Sequence, residues 1–185
     1  LEEGGIPRDS ITILIATGLH RPNLGEELEE VIGDPWITGN IRILNHDARD
    51  ESSIVHLGKT PTHQVPLGLN RHFVEADLKL VTGLVEPHFM AGYSGGRKVI
   101  APGIAHHETI RTFHSARFME SPYAASCNLD NNPLHESQLE IVQMLGGGIL
   151  AVNTILDEER NLIHVNFGEI LASHQEAVNL SLIHI

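Results

Sequence analysis

Short apolar runs separated by polar, glycine- and proline-marked breaks set the pattern of this chain. Residues 11–16, 41–45, 78–81 and 149–156 are such runs, rich in Ile, Val and Leu. Continuous runs of this kind predict strands buried on both faces, as in a parallel sheet. Residues 162–167 alternate only partly and follow a charged turn at 157–161, which predicts a strand antiparallel to its predecessor. Helical spacing appears in four places. Leu28, Val31 and Ile32 recur among acids in 25–32, and Asp34-Pro35 ends that helix. Ile110, Phe113 and Phe118 give a helix across 107–118, with His114 on the face of Ile110. Leu134, Leu139, Ile141, Val142 and Leu145 mark an amphipathic helix over 134–145, stopped by Gly146-Gly147-Gly148. After a turn at Gly168, residues 170–178 read as the last helix. Residues 46–60 read as polar and irregular, and 71–76 as a helical turn. Residues 65–70 form a short extended piece whose Pro66 puts it at an edge or outside a sheet. Residues 121–133 form a loop rich in Ser, Asn, Asp and Pro. Strands alternating with helices predict an α/β fold: a Rossmann-like, mostly parallel sheet with flanking helices in a single domain.

Composition narrows the partners. The chain has 185 residues, enough for one domain with a real core, and 41% of them are apolar. A net charge of -12 argues against a nucleic-acid groove or an anionic membrane as partner. It leaves room for a small anionic ligand, because a local Arg-Lys pair can oppose the global sign. No apolar run approaches the roughly 20 residues of a spanning helix, and no signal peptide is visible. The single cysteine, Cys127, forbids an internal disulfide and fits a cytoplasmic location. Both ends look cut. Residues 1–7 read as the last turn of a helix and its glycine stop, and residues 180–185 resemble a translated sequencing adapter. The expected domain is therefore 1–179, truncated at both ends, with 180–185 set aside as a scar.

The candidate chemistry concentrates after the 78–83 run. There the sequence Glu86-Pro87-His88-Phe89-Met90-Ala91-Gly92-Tyr93-Ser94-Gly95-Gly96-Arg97-Lys98 joins a histidine, a glycine-rich turn and two cations. The glycines let backbone N–H groups approach an anion, and Arg97 and Lys98 add charge. The glycine spacing fits neither a Walker A loop nor the Rossmann fingerprint. From the loop alone, a tight turn with a surface Arg-Lys pair is an equal reading. His20 and His88 each follow an apolar strand. If those strands are parallel neighbours, the two imidazoles can flank one cleft and trade roles as general acid and base. His114 is a candidate metal ligand, although no Cys-x-x-Cys or His-Glu-x-x-His pattern accompanies it. His46, His56, His63, His72, His106, His107, His135 and His164, among 13 histidines, have no comparable context and read as structural or exposed. Cys127 sits in a polar loop with no activating partner.

These residues resemble a known family. Ala16-Thr17-Gly18-Leu19-His20-Arg21-Pro22 is similar to the ATGTHRP segment of the nickel-dependent lactate racemases. The stretch from Pro87 to Lys98 resembles their PH-x-FAG-x-GGRK segment. His114 falls at the spacing of that family's metal-binding histidine. Asn132-Pro133-Leu134-His135-Glu136 and the Val152-Asn153 strand also match, so the resemblance covers nearly all of 1–179.

The resemblance implies racemisation or epimerisation of a small 2-hydroxy acid such as lactate, by reversible hydride transfer to a nickel pincer nucleotide. That cofactor is a pyridinium mononucleotide whose thioamide and thiocarboxylate arms bind nickel. Lys98 would carry it covalently, His114 would complete the nickel coordination, and His20 and His88 would be the acid/base pair. The backbone of Ser94, Gly95, Gly96 and Arg97 would hold the nucleotide. The family's upstream Asp-x-x-Thr-Arg-Pro segment and its second, C-terminal domain fall outside the sequence, so the chain alone is expected to be inactive. The competing expectation is a non-catalytic nucleotide- or anion-binding module that uses the same glycine loop.

Overall fold

The computed structural model describes residues 2–184. The sequence expectations for Leu1 and Ile185 therefore lie outside the described residues, as do those for the side chains of residues 182–184. The chain opens with two 3₁₀ turns, at Glu2–Gly4 and Arg8–Ser10, before β1 (Thr12–Ile15). Helices α1 (Glu26–Ile32) and α2 (Pro35–Asn40) carry the chain over to β2 (Arg42–Asn45), which pairs parallel with β1. A 3₁₀ turn (Glu51–Ser53) leads into the antiparallel hairpin of β3 (Ile54–Lys59) and β4 (Pro66–Asn70), followed by α3 (Arg71–Val74). Strand β5 (Lys79–Leu84) precedes a two-residue hairpin, β6 (Pro87–His88) with β7 (Gly92–Tyr93). Four helices follow: α4 (Arg97–Ile100), α5 (His107–Phe113), α6 (Ala116–Met119) and α7 (Pro133–Met144). The chain closes with β8 (Ile149–Leu156), β9 (Leu162–Glu169) and α8 (Ile170–His184). Strand β8 is central in its sheet, parallel to β5 on one side and antiparallel to β9 on the other.

The α/β class with flanking helices is as expected, and its strands pair in both directions. The antiparallel β8–β9 pairing follows from the short charged turn between them. Three local expectations need correction. Residues 46–60 contain a strand, because Ile54, Val55 and His56 pair with Asn70, Leu69 and Gly68 of β4 across the hairpin. Pro66, expected at an edge, heads β4 of that two-stranded sheet, where the missing N–H costs no ladder bond. Asp34-Pro35 starts a helix as well as following one: Gly33, in the left-handed region, ends α1, and the Asp34 carboxylate accepts the Trp36 N–H at 2.8 Å to cap α2. The helix expected over 107–118 breaks into α5 and α6, with His114 as the C-cap of α5.

The core fills the space between β4, β5, β8 and the helices. Leu67, Leu69, Ile100, Ile110, Phe113, Phe118, Ile141, Ile149 and Ile170 are all buried within it. Along β8, inward positions alternate strictly, so Ile149, Ala151, Asn153 and Ile155 are buried while Leu150, Val152, Thr154 and Leu156 are half-buried.

Arg97, at the start of α4, is among the largest buried side chains, at 1% exposure. Among the described residues no carboxylate pairs with it. Its Nε donates to His135 Nδ1 at 2.7 Å, and its Nη2 to the Ala91 carbonyl at 2.9 Å and the Tyr93 carbonyl at 3.4 Å. Its Nη1 lies 2.9 Å from His174 Nε2, which is also 2.9 Å from the Ser94 carbonyl, so that nitrogen either accepts from Arg97 with its lone pair or, protonated, donates to Ser94. One guanidinium thus ties the 91–94 loop to α7 and α8. Gly96 is obligatory here: its φ is +47°, and a Cβ would fall 2.7 Å from the His174 ring. Burial lowers Arg97 to about 9, still protonated at neutral pH. Burial and then the arginine's charge push His135 down to about 4 and His174 to about 3.

Two outcomes follow. Lys cannot reproduce the guanidinium fork, so Arg97→Lys should destabilise the chain by about 2–4 kcal/mol, read as a lowered midpoint in denaturant unfolding. The two histidines stay neutral in the folded chain but bind protons near pH 6.5 when unfolded. Their contribution is full above about pH 6.5 and is lost as pH falls towards 4 and then 3. Stability should fall over that window, and His135→Asn or His174→Gln should each flatten the slope by up to about 1.4 kcal/mol per pH unit. An unchanged slope in both variants would refute this account.

Candidate active site

The loop after β1 and the helix after β7 are stitched together by a short backbone contact. The Gly18 N–H donates to the Gly103 carbonyl at 2.8 Å. Gly103 admits no side chain, since a Cβ would lie 2.1 Å from the Val99 carbonyl oxygen and 3.0 Å from Ala16 Cβ. Thr17 anchors the same loop from below through its hydroxyl, which donates to the His46 carbonyl at 2.5 Å. This contact brings the His20 loop over α4, although β1 and β5 belong to different sheets. The condition that the two strands be parallel neighbours is therefore not met. His20 and His88 share a cleft because the Gly18–Gly103 contact closes the gap between the sheets.

The cleft has a volume of about 550 Å³. His20, His88, Lys98 and His114 all line it, with Thr17, Gly18, Gly83, Gly95 and Gly103 supplying backbone walls. No Asp or Glu lines it, in a chain whose net charge is -12. A smaller cavity of about 80 Å³ adjoins it, sharing His88, Lys98, Pro102 and His114 and adding Phe89, Met90, Phe113 and Leu134.

Backbone partners select the tautomers of two imidazoles in the cleft. The His88 Nδ1 accepts the backbone N–H groups of Met90 and Ala91 at 3.2 and 3.1 Å, so the neutral ring carries its proton on Nε2. Burial, then Lys98, Arg97 and His114, lower His88 to about 4. Lys98 is also pushed down, first by burial and then by Arg97, with Glu86 opposing. His114 Nδ1 lies 2.8 Å from the Ile110 carbonyl. A carbonyl can only accept, so the proton sits on Nδ1 and the Nε2 lone pair is free. Among the described residues no group hydrogen-bonds the His20 ring.

The other site expectations divide. Gly95 lines the cleft. Ser94 turns its hydroxyl to the Leu84 carbonyl at 2.8 Å, and Gly96 packs against His174. The Arg97 side chain points into the interior, which corrects its reading as a charge offered to a ligand: the stability of the loop consumes it. His135, read as structural or exposed, is structural, while His174 carries no sequence signal; what gives both a role is an arginine 38 and 77 residues away. Cys127 is exposed and lies outside the cleft.

Comparison with known proteins agrees with this geometry. Residues 1–127 match the lactate racemase N-terminal domain family. The lactate racemase of Lactiplantibacillus plantarum is 38% identical over 169 residues, covering 91% of this chain and 39% of the relative. That of Thermoanaerobacterium thermosaccharolyticum is 33% identical over 171 residues, covering 92% and 38%. The structure of the T. thermosaccharolyticum lactate racemase apoprotein superposes with a TM-score of 0.86 at 32% identity, over 92% of this chain and 40% of that one. A Thermotoga maritima protein shares the fold, with a TM-score of 0.78 at 24% identity over 93% and 46% of the two chains. The chain thus spans about two-fifths of the length of the curated relatives it matches. No helix among the described residues is long and apolar enough to cross a membrane. By sequence and by fold, the chain belongs to the lactate racemase N-terminal domain family.

Proposed function

We propose that this chain is the cofactor-docking and proton-handling part of a 2-hydroxy acid racemase or epimerase, with lactate as the simplest substrate. The remainder of the substrate grip would come from a further domain of the same protein. The observation that carries the reading is the convergence of His20, His88, Lys98 and His114 on one cleft that no carboxylate lines. Such a wall favours an anionic substrate and an anionic nucleotide.

The cleft fits a nickel pincer nucleotide. Burial and the neighbouring arginine make the neutral, nucleophilic amine of Lys98 more accessible, as covalent attachment requires. His114 presents an unprotonated Nε2, fixed by its bond to Ile110, which is the form of imidazole that binds nickel. Gly95, in the left-handed region, brings backbone to the cleft wall beside Lys98. When bound, the cofactor would accept the C2 hydride of the hydroxy acid and return it to either face of the planar keto acid.

The protein's part is to place the substrate and to move its hydroxyl proton. His20, with a ring free of protein hydrogen bonds, takes that proton. His88 starts as a donor: its Nδ1 is held by two backbone N–H groups, which leaves the Nε2 proton for a substrate oxygen. The two histidines therefore enter the reaction with different hydrogen-bonding roles, His20 as acceptor and His88 as donor. Because His88 is held low, at about 4, it stays neutral across the physiological range, so any acid limb of activity between pH 5 and 7 belongs to another group.

The test uses full-length protein co-expressed with cofactor-making enzymes. Intact mass and nickel analysis should show an adduct on Lys98 that Lys98→Ala abolishes. An unmodified lysine under those conditions would favour a non-catalytic anion-binding module instead. His20→Ala and His88→Ala should keep the adduct and lose about 10²–10⁴-fold in kcat. Retained turnover in both variants would refute their proton-transfer roles.

A further inference from the structure

A second cluster of ligating side chains lies away from the cleft, where the β3–β4 hairpin meets the start of α5. Glu51, His106 and His107 each offer one ligand atom, and these atoms lie within 4.8 Å of one another. His56 joins them from β3. The two oxygens of the Glu51 carboxylate already face two imidazoles, Oε1 at 2.9 Å from His106 Nε2 and Oε2 at 3.1 Å from His56 Nε2. The rings of His106 and His107 meet edge to face at 4.1 Å between centroids, and those of His56 and His106 at 5.2 Å. None of the four residues lines the cleft.

The backbone holds this group in place. His106 caps α5, and its N–H donates to the Gly68 carbonyl of β4 at 2.9 Å. Gly68 makes room for it, since a Cβ there would fall 2.7 Å from His106 Cβ. His107 is the first residue of α5, and its N–H donates to the Ala48 carbonyl at 2.9 Å. Asp50 caps the turn that presents Glu51, its carboxylate accepting the Ser52 N–H at 3.1 Å. A second observation points to a ligand: His107 Nδ1 is buried and has no hydrogen-bond partner. A buried, unpaired ring nitrogen is costly unless something occupies its lone pair or takes its proton.

We propose that Glu51, His56, His106 and His107 form a structural site for one divalent transition-metal ion of the zinc class, clipping the β3–β4 hairpin to the start of α5. Three imidazoles and a carboxylate are a borderline donor set that suits zinc, cobalt and nickel and disfavours calcium and magnesium. Tetrahedral bonds of about 2.0–2.1 Å need donor atoms roughly 3.3 Å apart. The Glu51–His106 and Glu51–His56 distances already meet that spacing, through opposite carboxylate oxygens, so His56 and His107 both have to close in on one centre. The clip would fix the first turn of the helix whose C-cap is His114, and so steady one wall of the cleft.

The experiment titrates zinc chloride into chelator-treated, cofactor-free chain and follows it by calorimetry, with cobalt(II) d–d absorption reporting geometry. The expected result is one zinc per chain at this cluster, a tetrahedral cobalt spectrum and a zinc-dependent rise in Tm. Glu51→Gln and His107→Ala should each weaken binding at least tenfold and erase the Tm rise. His114→Ala, in the cleft, should leave both intact. Should His107→Ala fail to fold, Glu51→Gln carries the test alone, because the Glu51 side chain is 63% exposed. No zinc-dependent Tm rise at millimolar zinc, or binding lost in His114→Ala and kept in Glu51→Gln, would overturn the site.

Discussion

The structure depends on a buried positive charge with no negative partner. Arg97 lies in the interior, and only neutral acceptors meet it: one ring nitrogen each from His135 and His174, and the carbonyls of the 91–93 loop. Such a charge is tolerated only where its donors are satisfied, which makes the geometry of those acceptors strict. The next residue, Lys98, then has its backbone fixed and its amine turned into the cleft. The same charge lowers Lys98, His88, His135 and His174 together. Structural and chemical roles thus sit on adjacent residues of one four-residue helix.

The second constraint is a join between separate sheets. Strand β1 and strand β5 do not pair, yet the residues that follow them face each other across one cleft. The backbone hydrogen bond from Gly18 to Gly103 makes the join at the cleft, with His46 Nε2 on the Ala105 carbonyl and the His107 N–H on the Ala48 carbonyl beside it, and Gly103 is indispensable because Val99 and Ala16 leave no room for a side chain. The cleft is therefore a seam between two sheet fragments, with its functional side chains contributed by three segments of the chain. A seam of this kind suits a site that another domain must close over, and the length of the relatives leaves room for one.

Histidines recur at every level of this molecule, and their environments separate them. Those around Arg97 are acceptors kept neutral in the core. In the cleft, His114 has its proton on Nδ1 and a free Nε2, while His88 has the reverse arrangement, each set by a single type of backbone partner. Tautomer separates these two imidazoles: one turns a lone pair and the other a proton away from its backbone partner. The third group, around Glu51, gathers imidazoles about a carboxylate.

The sequence by itself determined the strands β1, β2, β5 and β8 and the helices α1 and α7, because continuous apolar runs and helical spacing record burial locally. The antiparallel return of β9 was legible in the charged turn before it. The motifs around His20 and from Pro87 to Lys98 singled out His20, His88 and Lys98, and the spacing beyond them His114, all of which line the cleft, since glycine spacing and residue type persist whatever surrounds them. Strand β3 was hidden because its short alternation acquires meaning only against β4. The break at His114 was hidden because Ile110 and Phe113 keep a helical rhythm up to it. Only tertiary structure decided that Arg97 faces inward, that His135 and His174 receive it, and which nitrogen of His88 and His114 holds the proton. Those facts rest on partners up to 77 residues away and on the direction of single backbone groups, neither of which leaves a periodic trace in sequence.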